Sequence, residues 1–130
     1  MTWRDYFWIG LGSGLGGVFR VFLSRFFDRV VYSYPWGTFW VNFIGCFLIG
    51  WLWMSYGVKL AVPRYDVGWN LIASGFLGGF TTFSTFTLQA AELWSEGQWT
   101  LSIVYSVVTC GACIFGVALG MLVGGIRIGG

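Results

Sequence analysis

Four long apolar runs, each almost free of charged residues, restrict what this chain can fold into more than any other feature. The runs extend from about Tyr6 to Leu23, Thr38 to Tyr56, Val67 to Ala91 and Trp99 to Ile126. A bilayer core about 30 Å thick needs roughly 20 apolar residues in a helix. We therefore predict an all-α integral membrane protein whose four transmembrane helices form one domain over residues 1–130.

Composition excludes a soluble protein and a nucleic-acid-binding protein. Hydrophobic residues make up 57% of the chain and charged residues only 9%, so there is too little polar surface to cover a fold in water. The formal net charge of +2 is too small to indicate a nucleic-acid partner. The sequence contains no His, the commonest side-chain proton shuttle. We expect a protein of the lipid bilayer that is not an enzyme.

Lysine and arginine are shared almost evenly between the two sides of the membrane, and this balance bears on orientation. K/R bias orients small membrane proteins, so a weak bias leaves two readings open, a single orientation and dual insertion. Dual insertion would permit an antiparallel homodimer in the inner membrane, with its two-fold axis in the membrane plane. With four spans, one side holds Arg4, Lys59, Arg64 and Arg127, and the other holds Arg25, Arg29 and, if it snorkels outward, Arg20.

Small residues recur at helical spacing in three of the runs. Glycine pairs four residues apart form a groove on one helix face and let a neighbouring backbone approach closely. We interpret them as packing surfaces, and the cysteines inside the apolar runs as small packing residues. The glycines are Gly12, Gly16, Gly75, Gly79, Gly116, Gly120 and Gly124, and the cysteines are Cys46, Cys110 and Cys113.

A helix break is predicted near the middle of the third run, where Gly78 and Gly79 are followed by Thr81 and Thr82. Glycine and β-branched residues are poor helix formers. Carbonyl groups freed at membrane depth are tolerated only where protein, water or an ion satisfies them, and a hard cation such as Na⁺ prefers oxygen ligands. A kinked but continuous helix, with hydroxyls bonded back to carbonyls, explains the same residues equally well.

Directly after this segment, Phe83 and Phe86 lie on one helical face beside the hydroxyls of Ser84 and Thr85. An aromatic ring is positive at its edge, so two edges turned into a narrow pore would favour a small anion without trapping it. Lipid-facing or core packing is the alternative for any pair of Phe among the thirteen in the chain.

Two further sets of neutral donors lie inside the spans. Asn42 follows Thr38 by four residues, and its NH₂ offers two hydrogen-bond donors to an anion or an interhelical hydrogen bond. In the fourth run, Tyr105, Thr109 and Cys113 repeat every four residues. Such a stripe suits a hydrated anion that must shed water, and ordinary helix–helix hydrogen bonding explains it equally well.

Three segments together resemble the Fluc-type bacterial fluoride channels. They are GGFTTFSTF at Gly78–Phe86, PWGTFWVNFIG at Pro35–Gly45 and GGVFR at Gly16–Arg20, and the resemblance covers the whole chain. The family usually has Ala where this chain has Gly17. The resemblance implies an antiparallel dual-topology homodimer with two fluoride pores, which lowers cytoplasmic fluoride by passive export.

The resemblance also implies roles for particular residues. The backbone carbonyls of Gly78 and Thr81 would hold a structural Na⁺ at the dimer centre, which is not transported. Phe83 and Phe86 would offer ring edges to fluoride, and Asn42 its amide. The hydroxyl groups that would complete the polar path are those of Thr38, Ser84, Thr85, Tyr105 and Thr109.

Two other classes of protein remain as alternatives. A small four-helix multidrug transporter would need a carboxylate deep in the membrane to attract a cationic substrate. The nearest acids are Asp5, at the start of the first run, and Glu92, at the end of the third. A non-transporting accessory subunit would use the glycine grooves but leaves the break and the donor stripe without a purpose.

Overall fold

A computed structural model of the chain describes residues 1–29, 34–58, 61, 63 and 66–126. Its helices are α1 (Trp3–Asp28), α2 (Trp36–Val58, π-helical over Trp53–Val58), α3 (residues 67–80, π-helical over Asn70–Leu77), α4 (Phe83–Ser95) and α5 (Trp99–Ile126). Lys59, Arg64 and Arg127, which enter the charge count, lie outside the described residues.

The predicted spans are confirmed. Within the described part of the chain, four helical segments are long and apolar enough to cross a membrane. The third is Val67–Ser95, in which α3 and α4 follow one another. The first three spans extend a few residues beyond the apolar runs, and the fourth, α5, has the predicted bounds.

Carboxylate side chains at the membrane surface cap the N-termini of two helices. Asp66 precedes α3, where it accepts hydrogen bonds from the Gly68 N–H (2.9 Å) and the Tyr56 hydroxyl (3.0 Å). The Tyr56 hydrogen bond lowers the pKa of the Asp66 carboxyl below its usual range. Asp28 likewise accepts the Gly37 N–H in the first turn of α2, at 2.9 Å. These contacts satisfy first-turn N–H groups that a helix cannot bond itself.

The glycines are packing surfaces, as the sequence predicts, and they bring two pairs of helices into close contact. On α1, a Cβ added at Gly16 would overlap the Phe76 carbonyl and lie 2.9 Å from the Phe80 nitrogen of α3. Between α2 and α5, a Cβ at Gly120 would overlap the Phe47 carbonyl. Backbone therefore rests on backbone in both pairs, and larger residues would separate the helices.

The third span is broken, so the alternative of a continuous kinked helix is wrong. Thr81 (ψ 158°) and Thr82 (φ −150°, ψ 111°) are extended. The break follows the glycine pair, however, and Gly78 itself is helical (φ −62°, ψ −39°). Gly79 is needed for close packing, because a Cβ there would overlap the backbone of Ser13 on α1.

Replacing Gly16 by Ala should destabilise the protein, while the same change at Gly14 should not. Gly16→Ala forces α1 away from α3, and such overpacking costs roughly 1–3 kcal/mol. Gly14 has nothing within 4 Å of an added Cβ, and Ala favours a helix by about 1 kcal/mol over Gly. Thermal unfolding in detergent, followed by tryptophan fluorescence, measures both. Equal melting temperatures for the two variants would contradict the backbone contact.

Candidate functional site

The Asn42 side chain pairs with the backbone of Thr82 at the break. Its Oδ1 accepts the Thr82 N–H at 2.7 Å, and its Nδ2 donates to the Thr82 carbonyl at 3.0 Å. Both residues are buried, 8% and 6% exposed. The carboxamide thus replaces a peptide partner, which backbone inside a membrane requires. Asn42 therefore makes the interhelical hydrogen bonds that the sequence offered as one alternative. One of its two amide hydrogens remains for another acceptor.

The break leaves two carbonyl groups without their helical donors. In a continuous helix the Thr82 N–H would bond to the carbonyl of Gly78, but it donates to Asn42. The Thr85 N–H, which would bond to the carbonyl of Thr81, donates instead to the Thr82 hydroxyl at 3.2 Å. Gly78 and Thr81 line one cavity together, and Gly78 is exposed. These are the two carbonyls predicted as cation ligands, and their chemistry fits a hard cation.

A second cavity, which we call the inner cavity, has a volume of about 240 Å³. It brings together four of the predicted path residues, Asn42, Phe83, Phe86 and Thr109. None of its lining residues is charged. The complete lining is Asn42, Cys46, Thr81, Phe83, Phe86, Thr109, Cys110 and Cys113.

The two phenylalanine rings of the inner cavity are held differently. Their centroids are 5.7 Å apart, with 50° between the planes. Phe86 is buried and packs against the Tyr105 ring, with a centroid separation of 5.2 Å. Phe83 is 74% exposed on the single chain. One ring is therefore fixed by the fold, and the other lies at the outside of the chain.

The Thr109 hydroxyl is a buried donor in the wall of the inner cavity. Thr109 is 3% exposed, and its Oγ1 makes no well-formed hydrogen bond among the residues that the structure describes, although the Tyr34 hydroxyl approaches it. Leaving a buried hydroxyl unbonded costs about 1–3 kcal/mol. A group left in this state at a cavity is available to a ligand that accepts hydrogen bonds.

A third cavity, the outer cavity, has a volume of about 210 Å³ and includes Thr38 and Thr85 of the predicted path. The Thr82 hydroxyl donates to Thr85 Oγ1 at 2.9 Å, so the Thr85 proton is left for another acceptor. Arg20 also lines this cavity, which explains why a charged residue lies near the end of the first span. The complete lining is Arg20, Val21, Ser24, Arg25, Asp28, Thr38, Thr82, Thr85 and Gln89.

Two predicted path residues line neither the inner nor the outer cavity. Ser84 is exposed, with its Oγ 3.4 Å from the Thr82 hydroxyl oxygen. Tyr105 is fully buried, and its hydroxyl donates to Gln89 Oε1 at 3.0 Å. In the donor stripe of α5, helix packing therefore accounts for Tyr105 but not for Thr109.

Several residues of these cavities were missed by sequence reasoning, and three of them are informative. Thr82 was assigned only to the break, yet it contacts both Asn42 and Thr85. Gln89 is a carboxamide in an apolar run, the same signal that identified Asn42. Cys46 follows Asn42 by four residues and so shares its helix face.

Comparison with known proteins shows the family. The profile described as CrcB-like protein, Camphor Resistance (CrcB), matches residues 7–121. The chain is 41% identical over 99 residues to a fluoride-specific ion channel FluC of Leptospira interrogans, covering 75% of this chain and 76% of the relative. It is 36% identical over 118 residues to a FluC of Magnetococcus marinus, covering 90% and 94%. The chain belongs to the CrcB family, and it is a multi-pass membrane protein.

Asn42→Asp should both destabilise the protein and lower its transport activity. The new carboxylate can still accept the Thr82 N–H, but it cannot donate to the Thr82 carbonyl and faces it with negative charge. A buried acceptor that loses its donor costs roughly 1–3 kcal/mol. Thermal unfolding and ion flux from liposomes measure the two effects.

The matched control is Thr87→Val, on α4. Thr87 is exposed, and its hydroxyl donates only to carbonyls of its own helix, Phe83 and Ser84. That change should leave the melting temperature almost unaltered. If Asn42→Asp is as stable as Thr87→Val, the pairing with Thr82 does not hold the break.

Proposed function

We propose that this chain forms a fluoride-selective channel, through which fluoride leaves the cytoplasm passively. The observation that carries the proposal is the inner cavity, where two aromatic rings, a carboxamide and a buried hydroxyl that makes no well-formed hydrogen bond meet without a charged side chain. Fluoride enters cells as neutral HF and is trapped as the anion, so a passive anion path is enough to lower its concentration. Membership of a family whose relatives are named fluoride-specific ion channels supports this substrate.

The outer cavity supplies the entrance in this proposal. Its lining contains two cations, Arg20 and Arg25, and one acid, Asp28, whose carboxylate already accepts the Gly37 N–H. A cleft with this balance raises the local concentration of anions. The hydroxyls of Thr38 and Thr85 can then begin to replace the water molecules around the ion.

Neutral groups carry the ion through the inner cavity. The free amide hydrogen of Asn42 and the Thr109 hydroxyl donate hydrogen bonds, and Phe83 and Phe86 offer positive ring edges. Conduction requires that each site bind strongly enough for entry and weakly enough for release. Neutral donors and ring edges meet both requirements, whereas a buried cation would hold the ion.

A second, inverted copy of the chain completes the site in this proposal. Phe83 and Gly78 are exposed on the single chain, although one belongs to the ion path and the other to the break. An antiparallel homodimer would cover both and bring the two breaks together on its axis. The carbonyls of Gly78 and Thr81 from each copy would then offer four oxygens to one structural Na⁺, which would join the two copies.

The arrangement of acids argues against a multidrug transporter. Asp5 accepts hydrogen bonds from the Thr2 N–H (2.6 Å), the Thr2 hydroxyl (3.0 Å) and Asn70 Nδ2 (3.1 Å), so its carboxylate is committed at the end of the span. Glu92 is exposed near the end of α4. A cation exchanger would need an acid free to bind substrate at membrane depth.

Phe83→Ile and Phe86→Ile should each lower fluoride flux by roughly fivefold, because each removes a ring-edge contact worth about 1 kcal/mol while retaining bulk. Fluoride efflux from liposomes containing only this protein, followed with a fluoride electrode, is the measurement. Phe115→Ile is the control, since Phe115 is exposed on α5 and lines neither cavity. Unchanged flux in both single variants would show that the two rings only pack in the fold and do not contact fluoride.

Replacing Na⁺ by a large organic cation during purification and assay should lower fluoride flux and weaken the dimer. The expected reason is that the carbonyls of Gly78 and Thr81 lose the cation that bonds them at membrane depth. Flux is measured as before, and the mass of the assembly by light scattering. K⁺ serves as a second monovalent ion of larger radius. A dimer with full flux after complete removal of Na⁺ would exclude the structural ion.

A further inference from the structure

The inner cavity contains thiol groups that the proposed ion path does not use. Cys46 on α2 and Cys113 on α5 both line it, both are half-buried, and neither is in a disulfide. The sequence interpretation of these residues as packing explains their burial. It does not explain why two thiols from different helices lie in the same wall as Asn42 and Thr109.

The packing of α2 on α5 fixes how these helices face each other. A Cβ added at Gly116 would meet Phe43, and one at Gly120 would meet Phe47. Contacts therefore advance in the same direction along both helices, which makes them parallel neighbours. Each step of one turn along α2 is therefore matched by a step of one turn along α5.

One turn beyond the thiols, the two backbones touch. A Cβ added at Gly50 would overlap the carbonyl of Val117. Gly50 follows Cys46 by four residues, and Val117 follows Cys113 by four, so each pair shares a helix face. The two thiols consequently oppose each other across a narrow interface, and their side chains interact directly.

We propose that Cys46 and Cys113 bind one soft metal ion of the mercuric type between α2 and α5, and that the bound ion closes the inner cavity to fluoride. Thiolates are soft ligands and select soft metals. Each thiol releases its proton on binding, two metal–sulfur bonds form, and no group is oxidised or reduced. Two thiolates neutralise a divalent ion, so the product carries no net charge into the membrane interior.

The same wall disfavours zinc. Structural zinc sites are tetrahedral and need four protein ligands, whereas a mercuric ion is satisfied by two thiolates in a line. Across the described ranges, no three or more His, Cys, Asp or Glu side chains are grouped to hold a metal. Cys110 lines the cavity as well but is exposed, and it is not part of such a group. The pair should therefore discriminate between the two ions.

The test is mercury binding and fluoride efflux on the purified full-length protein, with Cys46→Ser, Cys113→Ser and Cys110→Ser as matched variants. In the presence of excess glutathione, which removes mercury from a single thiol, native mass spectrometry should find one retained mercury ion per chain in the wild type and in Cys110→Ser, and none in the other two. Each variant's efflux is compared with its own value before metal. HgCl₂ should abolish it in the first two proteins, excess dithiothreitol should restore it, and ZnCl₂ should have no effect.

The functional half of this inference rests on the proposed fluoride channel, while the binding half does not. If the wild type binds mercury through the pair but moves no fluoride before metal is added, the proposed function fails and the metal site stands. Mercury retained in Cys46→Ser or Cys113→Ser, or lost in Cys110→Ser, would overturn the paired site. Full efflux with the pair occupied would overturn closure of the cavity. Size-exclusion profiles show whether each serine variant is folded.

Discussion

Inside a bilayer, a peptide group that leaves its helix must find another polar partner, because no water is present to replace the lost hydrogen bond. In this chain Thr82 leaves the helix, and the carboxamide of Asn42 bonds both its N–H and its carbonyl. The Thr82 hydroxyl in turn accepts the Thr85 N–H at the start of α4. A side chain from α2 thus holds open a break that would otherwise close into a helix.

The remaining geometry of the site follows from that pairing. Because Thr82 is extended, α4 begins at Phe83, and its first turn places Phe83 and Phe86 at the inner cavity. Thr82 itself lines the outer cavity, while Asn42 lines the inner one. The contact between them therefore stands between the two spaces, and the same contact removes the donor from the Gly78 carbonyl. The proposed anion path and the proposed cation ligands are therefore two results of one local arrangement.

The sequence was sufficient for features that depend on the solvent or on a single helix. The length of the apolar runs predicted the spans, since the bilayer sets a minimum length. The Gly-Gly-Phe-Thr-Thr order predicted a break, because these residues are weak helix formers. It placed the break in the correct segment but did not show that only Thr81 and Thr82 leave the helix. Gly79 instead lets the backbone of Ser13 approach, and that contact belongs to the tertiary packing.

Features that depend on two helices at once were beyond the sequence. The stripe of Tyr105 and Thr109 looks uniform along α5, yet Gln89 of α4 bonds the first and leaves the second. The opposition of Cys46 and Cys113 depends on how far α2 is shifted along α5, which no single helix specifies. Family resemblance supplied roles for individual residues, but it did not supply these pairings.

The buried hydroxyl of Thr109 also bears on how such a protein responds to selection for thermal stability. Valine has almost the same shape, and in the described surroundings it would remove a buried polar group that makes no well-formed hydrogen bond. Random screens for a more heat-resistant variant should therefore favour valine at this position, even though the proposed ion path loses a donor. Stability and conduction pull in opposite directions here, as they do where a site retains polar groups for its ligand rather than for the fold.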